Sequence, residues 1–199
     1  MESTPISPPE LVLASASPRR AALLKQLGLP FRVVAVDVDE EGFARGLRAP
    51  AAVAAARAAA KARAAGGQSP AAVVIGADTL VVCGGRILGK PSDRAEAERM
   101  LRLLSGRRHR VVTGIAVAHR GELATSVEYA QVAFRRLDDA EIRRYAGSAE
   151  PMDKAGAYAI QGAAAAFVRR IEGEYTTVVG LPLCRLGVML RPFGFHIPG

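Results

Sequence analysis

No tryptophan occurs among the 199 residues, and only three histidines and two cysteines do. His109 and His119 fall in predicted strands and His196 in the C-terminal tail, which excludes a histidine-based zinc site of ordinary spacing. With GxSxG also absent, a Ser-His-Asp hydrolase is disfavoured. Cys83 and Cys184 have no metal-ligand spacing and make no disulfide framework, so both are expected to be small buried hydrophobes of a cytoplasmic protein. No apolar run reaches the ~18–20 residues of a membrane helix: AAVVIGADTLVV is broken by Asp78, and VVGLPLCRLGVML by Pro182 and Arg185. A soluble chain without a membrane partner is expected. Neither GxxxxGK[ST] nor GxGxxG occurs, so any phosphate site must be built by other means. The opening MESTPISPPE lacks a basic n-region and an apolar h-region, and reads as a flexible tail over 1–10 rather than a signal peptide. A single α/β domain is expected over 11–199.

What is present is positive charge and alternation. The formal net charge is +8, which suits a polyanionic partner such as nucleic acid, anionic lipid or a small phosphorylated molecule. The basic doublets Arg107-Arg108, Arg135-Arg136, Arg143-Arg144 and Arg169-Arg170 fall on different predicted elements, the pattern of solvated charge rather than of a nucleic-acid surface. Apolar strand patterns at 11–15, 31–36 and 71–78 alternate with helical patterns at 18–27 and 50–65, the latter dominated by alanine. A hairpin turned at Gly84-Gly85 precedes a helix over 93–104, and strands over about 109–119 and 122–136 meet at Arg120-Gly121. Asp138 and Glu141 have capping-box spacing for a short helix, and a last helix is expected at 181–191. The fold class is α/β: a mixed twisted sheet flanked by helices.

Chemistry concentrates in the first half. LVLASASPRRAALLKQLG runs a buried strand into a helix with Ser17 at the N-cap and Pro18 at the first helical position. Arg19 and Arg20 follow at once, where the helix dipole disfavours positive charge, so an anion is expected there. Asp78 stands at the carboxyl end of a buried strand, where open α/β sheets bind ligands, and Glu40 belongs to an acidic segment after the second strand. Such carboxylates together with phosphate oxygens suit Mg²⁺ or Mn²⁺. Lys61 and Lys90 are further candidate cations, since a triphosphate needs several of them.

From Leu11 to Leu183 these segments resemble the Maf family of nucleotide pyrophosphatases, also described as septum-formation inhibitors. ASASPRRAALL, DVDE, KARA, GADTLVV, GKP, MLRLLSGRRHRVVTG, EPMDKAGAYAIQG and VVGLPL occur in the family's order. The resemblance implies two lobes around a deep nucleotide-binding cleft, a homodimer, and metal-dependent hydrolysis of nucleoside triphosphates to monophosphate and pyrophosphate. By position it implies phosphate binding for Ser17, Arg19, Arg20, Lys61 and Lys90, metal binding for Glu40 and Asp78, and catalysis for Asp78. Thr79 and Gln161 match positions associated with base selection, and SPRR, GADT and DKAGAYAIQG resemble the branch acting on dTTP and UTP. An amide at Gln161 offers both a donor and an acceptor to the O4/N3–H edge of uracil or thymine. Ala164 stands where the family usually has glycine, and Ala60 where relatives often carry glutamate. The rival expectations are the same chemistry on modified nucleotides such as methylated GTP, and a non-enzymatic regulator of cell division.

Overall fold

A computed structural model describes residues 8–197. The expected flexible tail lies outside the described residues up to Ser7. Its last residue, Glu10, is already engaged: its carbonyl accepts from Val73 N at 2.8 Å and its carboxylate pairs with Arg32.

Seven strands form one mixed sheet in the order β2-β1-β3-β5-β6-β7, with β4 paired to β3. They are β1 (Leu11–Ala14), β2 (Arg32–Val33), β3 (Val73–Cys83), β4 (Arg86–Leu88), β5 (Arg108–His119), β6 (Glu122–Phe134) and β7 (Val168–Gly173). Strand β1 runs parallel to β2 and β3, and the remaining pairings are antiparallel. The helices are α1 (Pro18–Gln26), α2 (Glu40–Phe43), α3 (Pro50–Gln68), α4 (Arg94–Leu104), α5 (Asp139–Ala146), α6 (Tyr175–Val179) and α7 (Leu183–Leu190). The expected strand at 31–36 shrinks to two exposed residues, because only Arg32 and Val33 reach β1. The expected last helix at 181–191 begins at Leu183 instead, after Gly180 adopts φ 120° and Pro182 takes the cap. Cys83 is buried as expected; Cys184, near the start of α7, is exposed. Ala164 sits wholly buried in a 3₁₀ turn at Ala163–Phe167, a conformation that needs no glycine.

The alanine-rich α3 has a packing reason. It lies across β3 and β5 so closely that a Cβ on Gly76 would fall 2.2 Å from the Ala58 carbonyl oxygen, and one on Gly114 2.4 Å from that of Ala54. Glycine on the sheet and alanine on the helix are the residue types that allow this separation. The main core lies on the other side, where Leu13, Leu24, Ile75, Leu101, Leu104 and Ile115 are fully buried with Phe134 and Tyr158. His109 belongs to that core. It is 2% exposed, its ring meets Phe134 edge-on at 5.0 Å, and its Nε2 shares a 2.9 Å hydrogen bond with the Tyr158 hydroxyl. The histidine is thus structural, and burial pushes its pKa down to about 4.

Two consequences can be measured. Gly76→Ala should destabilise the protein by about 3 kcal/mol or more, because the new methyl meets backbone that cannot yield. Gly66→Ala, in open space near the end of α3, should instead stabilise by about 0.5 kcal/mol, and urea denaturation of both variants checks the contrast. His109 is a base whose pKa is lowered on folding, so its contribution is complete above pH 6.5 and is lost as pH falls from there towards 4. The loss approaches about 3 kcal/mol, and His109→Gln should flatten the stability difference between pH 7 and pH 4.5.

Candidate active site

Strand β3 has two partners along one edge and a gap between them. Pairing with β1 ends at Ala14↔Gly76, and pairing with β4 begins at Val81↔Leu88. Residues 77–80 face no strand on that side. A cleft of about 670 Å³ opens there, lined by the turn after β1, the start of α1, Glu40, α3, Gly89-Lys90 and the segment around Asp153–Ile160. Such a break in strand order is where open α/β sheets accept ligands.

Asp78 lies in the gap and is 6% exposed, in the middle of β3 rather than at the strand end expected, because pairing with β5 and then β4 carries the strand on to Cys83. The close approach of α3 delivers Lys61 to it: Lys61 Nζ stands 2.7 Å from Asp78 Oδ1 and 2.7 Å from Glu40 Oε1. One buried ammonium therefore bridges two carboxylates from separate elements. Lys61 also reaches the Ala77 carbonyl at 3.5 Å, a group the gap leaves unpaired on that edge. Glu40 opens α2, partly exposed to the cleft. Burial works against its charge, but the Lys61 hydrogen bond and the charges of Lys61, Arg57 and Lys90 hold its carboxyl below the usual glutamate range. Glu40 is thus presented ionised, as a cation site requires.

The α1 end of the cleft is arranged for anions. Ser15 Oγ accepts from Ser17 N at 3.2 Å, while the Ser17 side chain makes no capping bond. The first turn of α1 carries no acidic residue, so its free N–H groups remain for a ligand. Arg20 is fixed: Nε donates to the Gly180 carbonyl at 2.8 Å, and the two terminal nitrogens donate to Ser15 Oγ and Thr79 Oγ1 at 3.3 and 3.2 Å. Burial lowers its pKa and the charge of Asp78 opposes that shift. Three of its five N–H groups are committed and two remain. Arg19 instead crosses the mouth towards Asp153 at 4.0 Å, and Asp153 also pairs with Lys154.

The hydroxyl at Thr79 has a defined polarity. Thr113 Oγ1 donates to the Thr177 carbonyl at 2.8 Å, so in its 3.0 Å contact with Thr79 it must accept. Thr79 therefore donates to Thr113, accepts from Arg20, and keeps only acceptor capacity for a substrate.

Ser17, Arg19, Arg20, Glu40, Lys61, Asp78, Thr79 and Lys90 all line the cleft. Gln161 does not; it is exposed, while its neighbour Ile160 lines the wall. The sequence reading passed over Arg57, whose one available signal was its spacing of four from Lys61 on a helix, and Thr113 and Thr177, which carry none. It also gave no role to Asp153 and Lys154. Among the described residues, six cationic side chains (Arg19, Arg20, Arg57, Lys61, Lys90, Lys154) and three carboxylates (Glu40, Asp78, Asp153) line the cleft, an excess suited to a polyanion. Val36, Leu80, Val111 and Val179 supply apolar wall.

The donor set fits a hard divalent cation. Asp78 Oδ2 is buried with no hydrogen-bond partner, and Glu40 offers a second carboxylate. No group of three or more His, Cys, Asp or Glu side chains is placed for a metal among the described residues, so the remaining oxygens would come from ligand and water.

The basic doublets sit on different elements, but three of them converge at one end of the sheet: Phe134 N donates to the Arg107 carbonyl and Gly106 N to that of Arg135, and Arg108 and Arg170 share Glu172, while Arg135 also pairs with Glu141. No helix among the described residues is long and apolar enough to cross a membrane.

The family of Maf-like proteins matches residues 10–193. The dTTP/UTP pyrophosphatase of Pelotomaculum thermopropionicum is 53% identical over 190 residues, covering 94% of this chain and 98% of its own length. That of Symbiobacterium thermophilum is 50% identical over 188 residues, covering 94% and 96%. The structure of a HAM1 protein from Coxiella burnetii overlaps 64% of this chain and 74% of its own, with 20% identity and a TM-score of 0.46. A family match that runs from the strand before the Ser15–Pro18 turn to the last helix takes in every element bordering the cleft, and the chain belongs to the Maf family.

Proposed function

We propose that the protein hydrolyses nucleoside triphosphates, dTTP and UTP foremost, to the monophosphate and pyrophosphate. The observation that carries this reading is the Lys61-bridged pair Glu40 and Asp78 at the sheet gap, set in a cleft with excess positive charge. The relatives named dTTP/UTP pyrophosphatases, about half identical over nearly their whole length, support the substrate class.

Arg19, Lys90, Lys154 and the N-terminus of α1 bind the phosphates, which carry close to four negative charges. Arg20, held by Gly180, Ser15 and Thr79, gives its two spare N–H groups without having to be ordered first. Lys61 holds Asp78 oriented through its 2.7 Å contact with Oδ1. Asp78 is the base: it accepts a proton as water attacks the α-phosphorus and the bond to the bridging oxygen breaks, releasing pyrophosphate. Glu40 and Asp78 would hold a divalent cation, Mg²⁺ or Mn²⁺, which supplies neutralisation of phosphate charge when bound. Thr79 presents an acceptor, which suits the N3–H of uracil or thymine, a donor that every such base carries. Gln161 lies outside the cleft lining, next in the chain to the wall residue Ile160, and its assignment to the same base edge rests on the family resemblance alone. The working unit is a homodimer in the cytoplasm.

A panel of dTTP, UTP, CTP, dATP, GTP and 7-methyl-GTP with Mg²⁺ or Mn²⁺, scored separately for pyrophosphate and orthophosphate, tests the reading. Pyrophosphate should be the product, fastest from dTTP and UTP. A preference for 7-methyl-GTP would move the chemistry to modified nucleotides, and no turnover would favour the regulator. Asp78→Asn should lower kcat by about 10²-fold or more with an unchanged circular dichroism spectrum, and near-normal turnover would remove Asp78 from its role.

A further inference from the structure

Arg57 stands beside the carboxylate pair and has no part in the reading above. Lys61 takes one oxygen of each carboxylate, Asp78 Oδ1 and Glu40 Oε1. The other two, Asp78 Oδ2 and Glu40 Oε2, face Arg57 Nη1 at 3.9 and 3.8 Å. Both distances exceed hydrogen-bond reach, and Asp78 Oδ2 remains without a hydrogen-bond partner. The guanidinium is anchored elsewhere: its Nε donates to the backbone carbonyl of Glu40 at 3.2 Å. A permanent positive charge is thus held near the two oxygens that Lys61 leaves, close enough to act on them but not to consume their lone pairs.

We infer that Arg57 is a positioning residue that couples entry of the divalent cation to nucleotide binding. The inference rests on the metal reading proposed above. In the nucleotide-free cleft a divalent cation on Asp78 Oδ2 and Glu40 Oε2 meets the like charge of Arg57 and is held weakly. A triphosphate reverses the sign of that contribution, because the same guanidinium then attracts the phosphates that share the cation. Arg57 therefore opposes the binary complex with metal and favours the ternary one, which is a coupling free energy between two ligands. Its Nε hydrogen bond to the Glu40 carbonyl keeps the charge in place by tying the start of α2 to α3.

The test is Mn²⁺ binding to nucleotide-free protein, read from the paramagnetic resonance signal of the free ion and requiring no turnover. Arg57→Gln should bind Mn²⁺ about tenfold or more tightly than the wild type, and Arg57→Lys should stay within about threefold of it. Both substitutions remove the guanidinium and its Nε hydrogen bond, so the difference between them reports charge rather than packing. Adding Asp78→Asn to Arg57→Gln should reverse the gain. Equal affinities for the Gln and Lys variants, with Asp78→Asn still weakening binding, would overturn the inference and leave the metal reading intact. Mn²⁺ binding that Asp78→Asn does not weaken would place the cation elsewhere and overturn both.

Discussion

The separation between α3 and the sheet is the constraint on which the rest depends. Gly76 and Gly114 remove two side chains from the sheet, and Ala54, Ala58 and Ala62 present small ones from the helix, so the two backbones come nearly into contact. A lysine side chain has limited reach, and this packing lets Lys61 span from the helix to Asp78 with its ammonium buried. A thicker interface would move Lys61 outward and leave two carboxylates without their shared cation, a state whose cost in a buried setting is several kcal/mol. Packing and electrostatics are therefore one problem here. The apparent low complexity of residues 50–65 is its solution.

A second constraint is the gap in the sheet. Because β1 stops at Ala14 opposite Gly76, and antiparallel β4 ends at Leu88 opposite Val81, the middle of β3 keeps one edge unpaired. Backbone groups left this way need other partners, and Ala77 finds one in Lys61. Residues 78 and 79 are held rigidly by β5 on the opposite edge, through Asp78↔Gly114 and Thr79↔Thr113. The site thus joins the precision of a central strand to the openness of a sheet edge. The same register sets Thr113 beside Thr79 and so fixes which way the Thr79 hydroxyl points.

Arg20 shows how far a role can shift between chain and fold. Next to Arg19 in the sequence, it looks like half of a matched pair for phosphate. In the structure the two diverge: Arg20 turns inward to Gly180, Ser15 and Thr79, and Arg19 extends to Asp153 across the mouth. Neighbours on a helix point about 100° apart, so adjacency in sequence does not make a joint clamp. Arg57 is the converse case, unremarked among alanines but set one turn from Lys61 and therefore on the same face.

Local physics made much of this protein legible in its chain. Strand and helix periodicity, the glycine turns, the capping residues Asp93 and Asp138 and the strand-turn-helix at Ser15–Pro18 all depend on neighbours within a few residues. Lys61 and Glu40 could be singled out for the same reason, since helix faces and acidic turns are local properties, whereas Asp78, expected at the carboxyl end of a strand, lies in the middle of β3 and owes its opening to the gap between β1 and β4. Contacts between distant segments could not: the Thr79–Thr113–Thr177 relay, the inward turn of Arg20 to Gly180, the two-residue length of β2 and the exposure of Cys184. Each arises from where a remote segment comes to lie, and sheet register and helix packing, which leave no short-range trace in the chain, set those positions.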